Sequence, residues 1–264
     1  MRSRLLDRRG IARTACALAV QAALLAPPAC GGSGGTGPSP PSTSYAEYTS
    51  AHFIFRHTPL DTSTIAQTAA TVESNVGRIT ASLGVADTLR VTVTLYADRA
   101  AMQEAVRPAA GTLPSFATGL VTGPDQIHIM SPNLGNVWTY DRAVTSIVHE
   151  FAHTVTLRLN PGFANNPRGL WESIALYEAR QFVDPRGLSY MASGQPPSFE
   201  QLSAIEDTRI YDVGYVIAEF IVATWGEPGL AAMVRQNGNP AAVGATPEEF
   251  RGRWLTFLRD RYGL

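Results

Sequence analysis

One stretch constrains this chain more than any other. From Asp141 to Leu159, Val144, Ile147, Val148, Phe151, Val155 and Leu159 recur at three- and four-residue spacing. That period marks one face of an α-helix, and Asn160-Pro161-Gly162 closes it with residues that stop helices. An amphipathic helix of this length must lie on a broad apolar surface, so the flanking sequence has to supply a sheet or further helices. His149 and His153 stand four residues apart on it, with Glu150 next to the first. Residues four apart lie one turn apart on the same side of a helix.

Upstream, strand and helix patterns alternate. His52-Phe53-Ile54-Phe55-Arg56 reads as a strand, as do Leu89 to Tyr96 (Val91, Val93 and Leu95 alternating), Phe116 to Val121 and Gln126 to Met130. Asp61 to Leu83 has helical periodicity and ends at Gly84, and Asp98 is placed to cap a short helix through Val106 that Pro108 ends. Downstream the pattern is helical: Leu170 to Phe182, then Tyr211 to Trp225 stopping at Gly226, then a last helix opened by the capping box Thr246-Pro247-Glu248-Glu249. The expected class is α+β, a small mixed sheet carrying the 141–159 helix and followed by a helical lobe. The apolar Val213–Val222 run is read as a buried helix, being shorter than a membrane span.

The first 44 residues differ from the rest. Arg2, Arg4, Arg8, Arg9 and Arg13 precede an apolar run from Thr14 to Ala26, the layout of a secretory signal. Pro27-Pro28-Ala29-Cys30 and a Gly/Ser/Pro-rich stretch follow, similar to a lipoprotein signal whose cysteine is lipidated, although Pro27 stands where an aliphatic residue is usual. The expected organisation is a signal at 1–30, a linker at 31–44 and a folded domain at 45–264. The expected destination is the periplasm or cell envelope, and lipidation of Cys30, if it follows, would add a membrane tether. Without residues 1–30 the chain carries 16 Arg against 21 acids and no cysteine, so no disulfide staples the domain. With charged residues at 16%, hydrophobic residues at 45% and no basic cluster in the domain, neither a disordered chain nor a nucleic-acid partner is expected.

His149-Glu150-Phe151-Ala152-His153 is a His-Glu-x-x-His motif. Two imidazoles one turn apart can grip one metal ion from one side, and the adjacent glutamate can take a proton from water activated there. A catalytic zinc needs a third protein ligand and one open position. A third histidine six residues beyond the second is excluded, because Leu159 stands there. Glu172, 19 residues after His153 on the next expected helix, is the preferred third ligand. Glu178 competes for the role but falls on roughly the opposite face of that helix.

His149, Glu150 and His153 with Glu172 resemble the gluzincin metallopeptidases, at the spacing of the aminopeptidase N branch. Leu170-Trp171-Glu172-Ser173-Ile174-Ala175-Leu176-Tyr177 is similar to the segment after the zinc helix in bacterial peptidase MA-like domains, with Ser173 in place of the usual Gly. Tyr211-x-x-x-Tyr215 with Phe220 and Trp225-Gly226 resembles a later helix of those domains. The likeness covers roughly residues 48–235. It implies a zincin-like fold and one Zn2+ held by His149, His153 and Glu172. It also implies Glu150 as general base, peptide or protein as substrate, and a tyrosine, Tyr211 ahead of Tyr215, stabilising the oxyanion. In such folds a sheet-edge strand before the zinc helix pairs with extended substrate, and Gln126 to Met130 occupies that place in the order. The loop motif by which the aminopeptidase N branch reads a free amine is missing upstream of the helix.

The remaining histidines are expected to be structural: His128 on the polar face of a strand, His52 and His57 at the surface. The Trp residues are expected in the core. Two alternatives stay open, a catalytically inactive, zinc-stabilised binding or scaffold lipoprotein of the envelope, and a metal hydrolase acting on non-peptide substrates.

Overall fold

Alternating apolar residues build a five-stranded sheet in the computed structural model, which describes residues 44–264. The expected signal at 1–30 and all but the last residue of the expected linker lie outside the described residues. The strands are β1 (Ala46–Thr49), β2 (Phe53–His57), β3 (Val91–Tyr96), β4 (Gly119–Gly123) and β5 (Gln126–Met130), in the order β1-β2-β3-β5-β4. β2, β3 and β5 run parallel, while β1 and β4 are antiparallel to their neighbours. The sheet is therefore mixed, as expected, but β5 is internal. The edge beside the site is β4, which corrects the placement of Gln126–Met130 as the edge strand.

Helices α1 (Ile65–Glu73), α3 (Arg99–Ala110) and α4 (Tyr140–Leu159) pack on the sheet, and α2 (Val76–Leu83) packs on α4. The expected single helix over 61–83 is broken at Ser74-Asn75, where both side chains donate to the Thr71 carbonyl and compete with the helix ladder. Asp98 caps α3 as expected, accepting from the Ala101 N–H at 2.8 Å. That helix outlasts Pro108 by two residues. Phe53 and Phe55 from β2 and Ile127 and Ile129 from β5 are fully buried on the face that receives α4, where Phe53 meets Phe151 edge-on at 5.1 Å. Each such ring or branched chain contributes about 1.5–3 kcal/mol by leaving water. Thr94 and Tyr96 face the other way, against Ala101 and Ala105 of α3.

The helical lobe follows: α5 (Arg168–Glu178), the short α6 (Ser189–Ala192) and α7 (Phe199–Ser203), α8 (Ile210–Arg235) and α9 (Pro247–Tyr262). The capping box at Thr246 and Glu249 forms as expected. α8 is long and apolar enough to cross a membrane by composition, yet its Val213, Val216, Ile217 and Ile221 are buried in the core, and the backbone leaves the helix at Gly226 (φ 71°, ψ 177°). α5 packs closely on α8 because Gly214 carries no side chain. A Cβ there would stand 2.6 Å from Leu176 Cδ1 and 3.3 Å from the Cα of Ser173. Ser173 is fully buried and donates its hydroxyl to the Gly169 carbonyl at 2.6 Å, so it is accommodated without an orphan group.

Candidate metal centre

α4 and α5 pack side by side, and their facing sides bring His149, His153 and Glu172 together. One donor atom from each lies within 4.8 Å of the others, and all three residues are buried, so the group could hold a metal ion. Glu172 Oε2 stands 3.2 Å from His149 Nε2 and 3.8 Å from His153 Nε2. Among the described residues this is the one cluster of three or more metal-ligating side chains that converges in this way.

The electrostatics follow from burial. Burial alone would depress His149, but the hydrogen bond and charge of Glu172, helped by the charge of Glu150 and the bond to Gln181, outweigh it and raise the imidazole. Burial would raise Glu172, and the two imidazoles outweigh it and hold the carboxyl below its ordinary range. Glu150 is pushed up to about 7 by burial, with Glu172 adding to the shift and His149 opposing it. Burial pulls His153 down to about 3, so its ring is neutral, the form that ligates.

The supporting groups were not legible in the sequence. Gln181 Oε1 lies 2.8 Å from His149 Nδ1 and fixes that ring with Nε2 toward Glu172. Gln181 reaches the site because α5 ends at Glu178, earlier than the expected Phe182. Arg180 takes a left-handed conformation (φ 57°), and the Gln181 N–H returns to the Leu176 carbonyl. His153 stacks flat on Trp171, ring centroids 4.0 Å apart, and its buried Nδ1 has no hydrogen-bond partner.

Glu178 points away from the site. It is fully buried, accepts from Arg78 Nη1 and Ser82 Oγ at 2.6 Å each, and ties α5 to α2. Tyr211 opens α8 on the site side, where the charges of Glu172 and Glu150 reach its hydroxyl and, with burial as the main cause, push the phenol up. Arg168, buried, donates to that hydroxyl at 3.4 Å and to the carbonyls of Leu202, Ala204 and Asp207. Phe116 stands edge-on to the Tyr211 ring at 6.4 Å with 46% of its surface exposed. Tyr215 instead packs between Tyr177 and Phe182.

The other histidines are distributed as follows. His128 bonds Tyr96 and Thr122 on the polar strand face, as expected. His52 is half-buried between Glu73 and Asp87. His57 is buried at 4% exposure, correcting its expected surface position: β2 extends one residue further, and His57 follows Phe53 and Phe55 inward.

β4 borders the site. Met130 donates its N–H to the Thr118 carbonyl, and Gly119 lies opposite Ile129. Bonded and non-bonded pairs alternate in an antiparallel ladder, so Gly119 and Val121 turn their N–H and C=O groups away from β5 toward the open edge. No protein-family model matches the chain, and neither a curated protein nor a solved structure matches it.

Proposed function

We propose that this chain is an exported zinc-dependent metallopeptidase of zincin-like fold. The observation that carries the reading is the convergence of His149, His153 and Glu172 beside Glu150, next to an open strand edge. The donor set, two imidazole nitrogens and one carboxylate oxygen, suits zinc. Ligands about 2.0–2.1 Å from a tetrahedral ion stand about 3.4 Å apart, which fits the spacings of 3.2 and 3.8 Å.

Zinc held there supplies the Lewis acidity that lets water ionise near neutral pH. The chain's own groups do the rest. Glu150, buried beside the three candidate ligands, takes a proton from the attacking water on its carboxylate and passes it to the leaving amine. The Tyr211 oxygen accepts from Arg168, which leaves its own proton free to be donated to the oxyanion of the tetrahedral intermediate. Gly119 and Val121 offer backbone donors and acceptors with which an extended peptide can pair. An open strand edge suits a segment passing through, and endopeptidase action is the form we favour.

The test is digestion of a broad peptide library by the purified full chain, with and without chelator, beside Glu150→Gln. Chelator-sensitive cleavage that falls about 10²–10⁴-fold in Glu150→Gln, at unchanged zinc content, is the expected result. Zinc retained without any hydrolysis would replace the reading by the zinc-stabilised binding lipoprotein.

A further inference from the structure

Gly119 on β4 stands against the side chain of the candidate general base. A Cβ built there would stand 2.8 Å from Glu150 Oε1 and 3.2 Å from both Glu150 Cγ and Ile129 Cδ1. Real Cβ atoms do not approach a side-chain oxygen that closely, so the carboxylate occupies the space a side chain would otherwise fill. The direction is fixed by the strand: Gly119 shares the face of its partner Ile129, which is fully buried against α4. Leu120, opposite His128, faces the other way. Gly119 also turns its N–H and C=O to the open edge.

We propose that Gly119 is a positioning residue for Glu150: its bare Cα seats the carboxylate against the edge strand, beside the backbone groups that a paired peptide would meet. The proposal rests on the metallopeptidase reading for its kinetic consequence, but its geometric content is independent of that reading. No backbone bond or φ value calls for glycine here, since Gly119 is absent from the residues with positive φ. What an added Cβ would meet most closely is the far end of the Glu150 side chain, with Glu150 Cγ and Ile129 Cδ1 at the looser 3.2 Å. Substitution should therefore leave the fold standing while displacing the group that handles the proton. A displacement of about 1 Å at a reacting group can cost about 100-fold in rate.

The experiment uses the full chain loaded with zinc, comparing Gly119→Ala with Gly77→Ala, the same change in α2 where an added Cβ meets nothing within 4 Å. Peptide turnover, zinc affinity by chelator competition and a crystal structure of Gly119→Ala are the readouts. The expected result is a kcat about 100-fold lower in Gly119→Ala, with zinc affinity within about twofold of the parent and Gly77→Ala close to parental. In the crystal the Glu150 carboxylate is displaced by about 1 Å. Parental kcat in Gly119→Ala, or an unmoved carboxylate, overturns the proposal. If Gly119→Ala folds poorly, the cycle with Glu150→Asp decides. The shorter acid withdraws from the added methyl, so adding Gly119→Ala to Glu150→Asp should cost less than twofold further, and losses that multiply overturn the proposal. If the parent cleaves no peptide, the metallopeptidase reading fails on its own, and the carboxylate position in the crystal still tests Gly119.

Discussion

Glu172 and Glu178 lie six residues apart on α5, and both are buried, yet they are in opposite situations. Glu178 has its partners supplied by the chain: Arg78 and Ser82 bond its two oxygens, and Arg78 also bonds its backbone carbonyl. Glu172 faces the Nε2 atoms of two imidazoles, the kind of atom by which histidine ligates a metal. Burial dominates at Glu178 and raises its carboxyl, whereas the imidazoles win at Glu172 and lower it. A buried charge surrounded by complementary donors stabilises a helix contact. One that converges with other metal-ligating atoms can make a place for a cation.

The largest expected effect breaks the pair on the site side. Glu172→Ala should weaken zinc binding by more than the ~10–100-fold that losing an outer hydrogen-bond partner costs, measured by competition with a chromophoric chelator. Unchanged affinity would make Glu172 a bystander. Arg78→Met strikes the other side, leaving the Glu178 carboxylate with Ser82 as its remaining partner. It should lower stability by about 1–3 kcal/mol in urea unfolding, with zinc affinity unchanged, and a variant that lost zinc instead would merge the two roles. Gln181→Met, which removes the acceptor from His149 Nδ1, should weaken zinc by about tenfold, while Gln181→Glu restores or tightens it.

The smallest effect is a difference of slope with pH in the chelated protein. Glu172 has a folded pKa below its ordinary value of 4.5. Its contribution is present above that value and is lost as pH falls through the folded pKa, so the stability gap between parent and Glu172→Gln should shrink on acidification below about 4.5. Glu178 has a folded pKa above 4.5, and its contribution is lost as pH rises through that folded value. The parent's advantage over Glu178→Gln should therefore decline with increasing pH above about 4.5. Thermal melts across this range check both signs, and parallel slopes would contradict the contrast.

Much of this contrast was legible before the fold was known. The 3.6-residue period placed Glu172 and Glu178 on different faces of one helix, and the four-residue spacing placed the two imidazoles on one face of another. Asp98, Gly226 and the Thr246–Glu249 box read correctly because caps and breaks are local events. His57 was legible and misread: the alternation of Phe53 and Phe55 continues through it. Other features had no local signal. Strand order depends on long-range pairing, so chain order alone suggested β5 as the edge where β4 stands. Phe116 read as a strand residue, but Arg99 draws the carbonyls of Pro114 and Ala117 toward α3 and holds that segment as a loop. Gln181 lies beyond an arginine in a conformation that glycine normally serves, and Gly119 matters only through a contact with residue 150.

β4 also sets a limit on whatever lies along it. Its register shifts between Val121 and Gly123, where the strand bends away from a regular ladder. A guest chain laid against this border therefore finds a straight berth only from Gly119 to Val121, bounded beyond by a kink. So short a berth grips a few links of backbone and releases them readily. It also denies neighbouring molecules the long, flat seam along which aggregates grow.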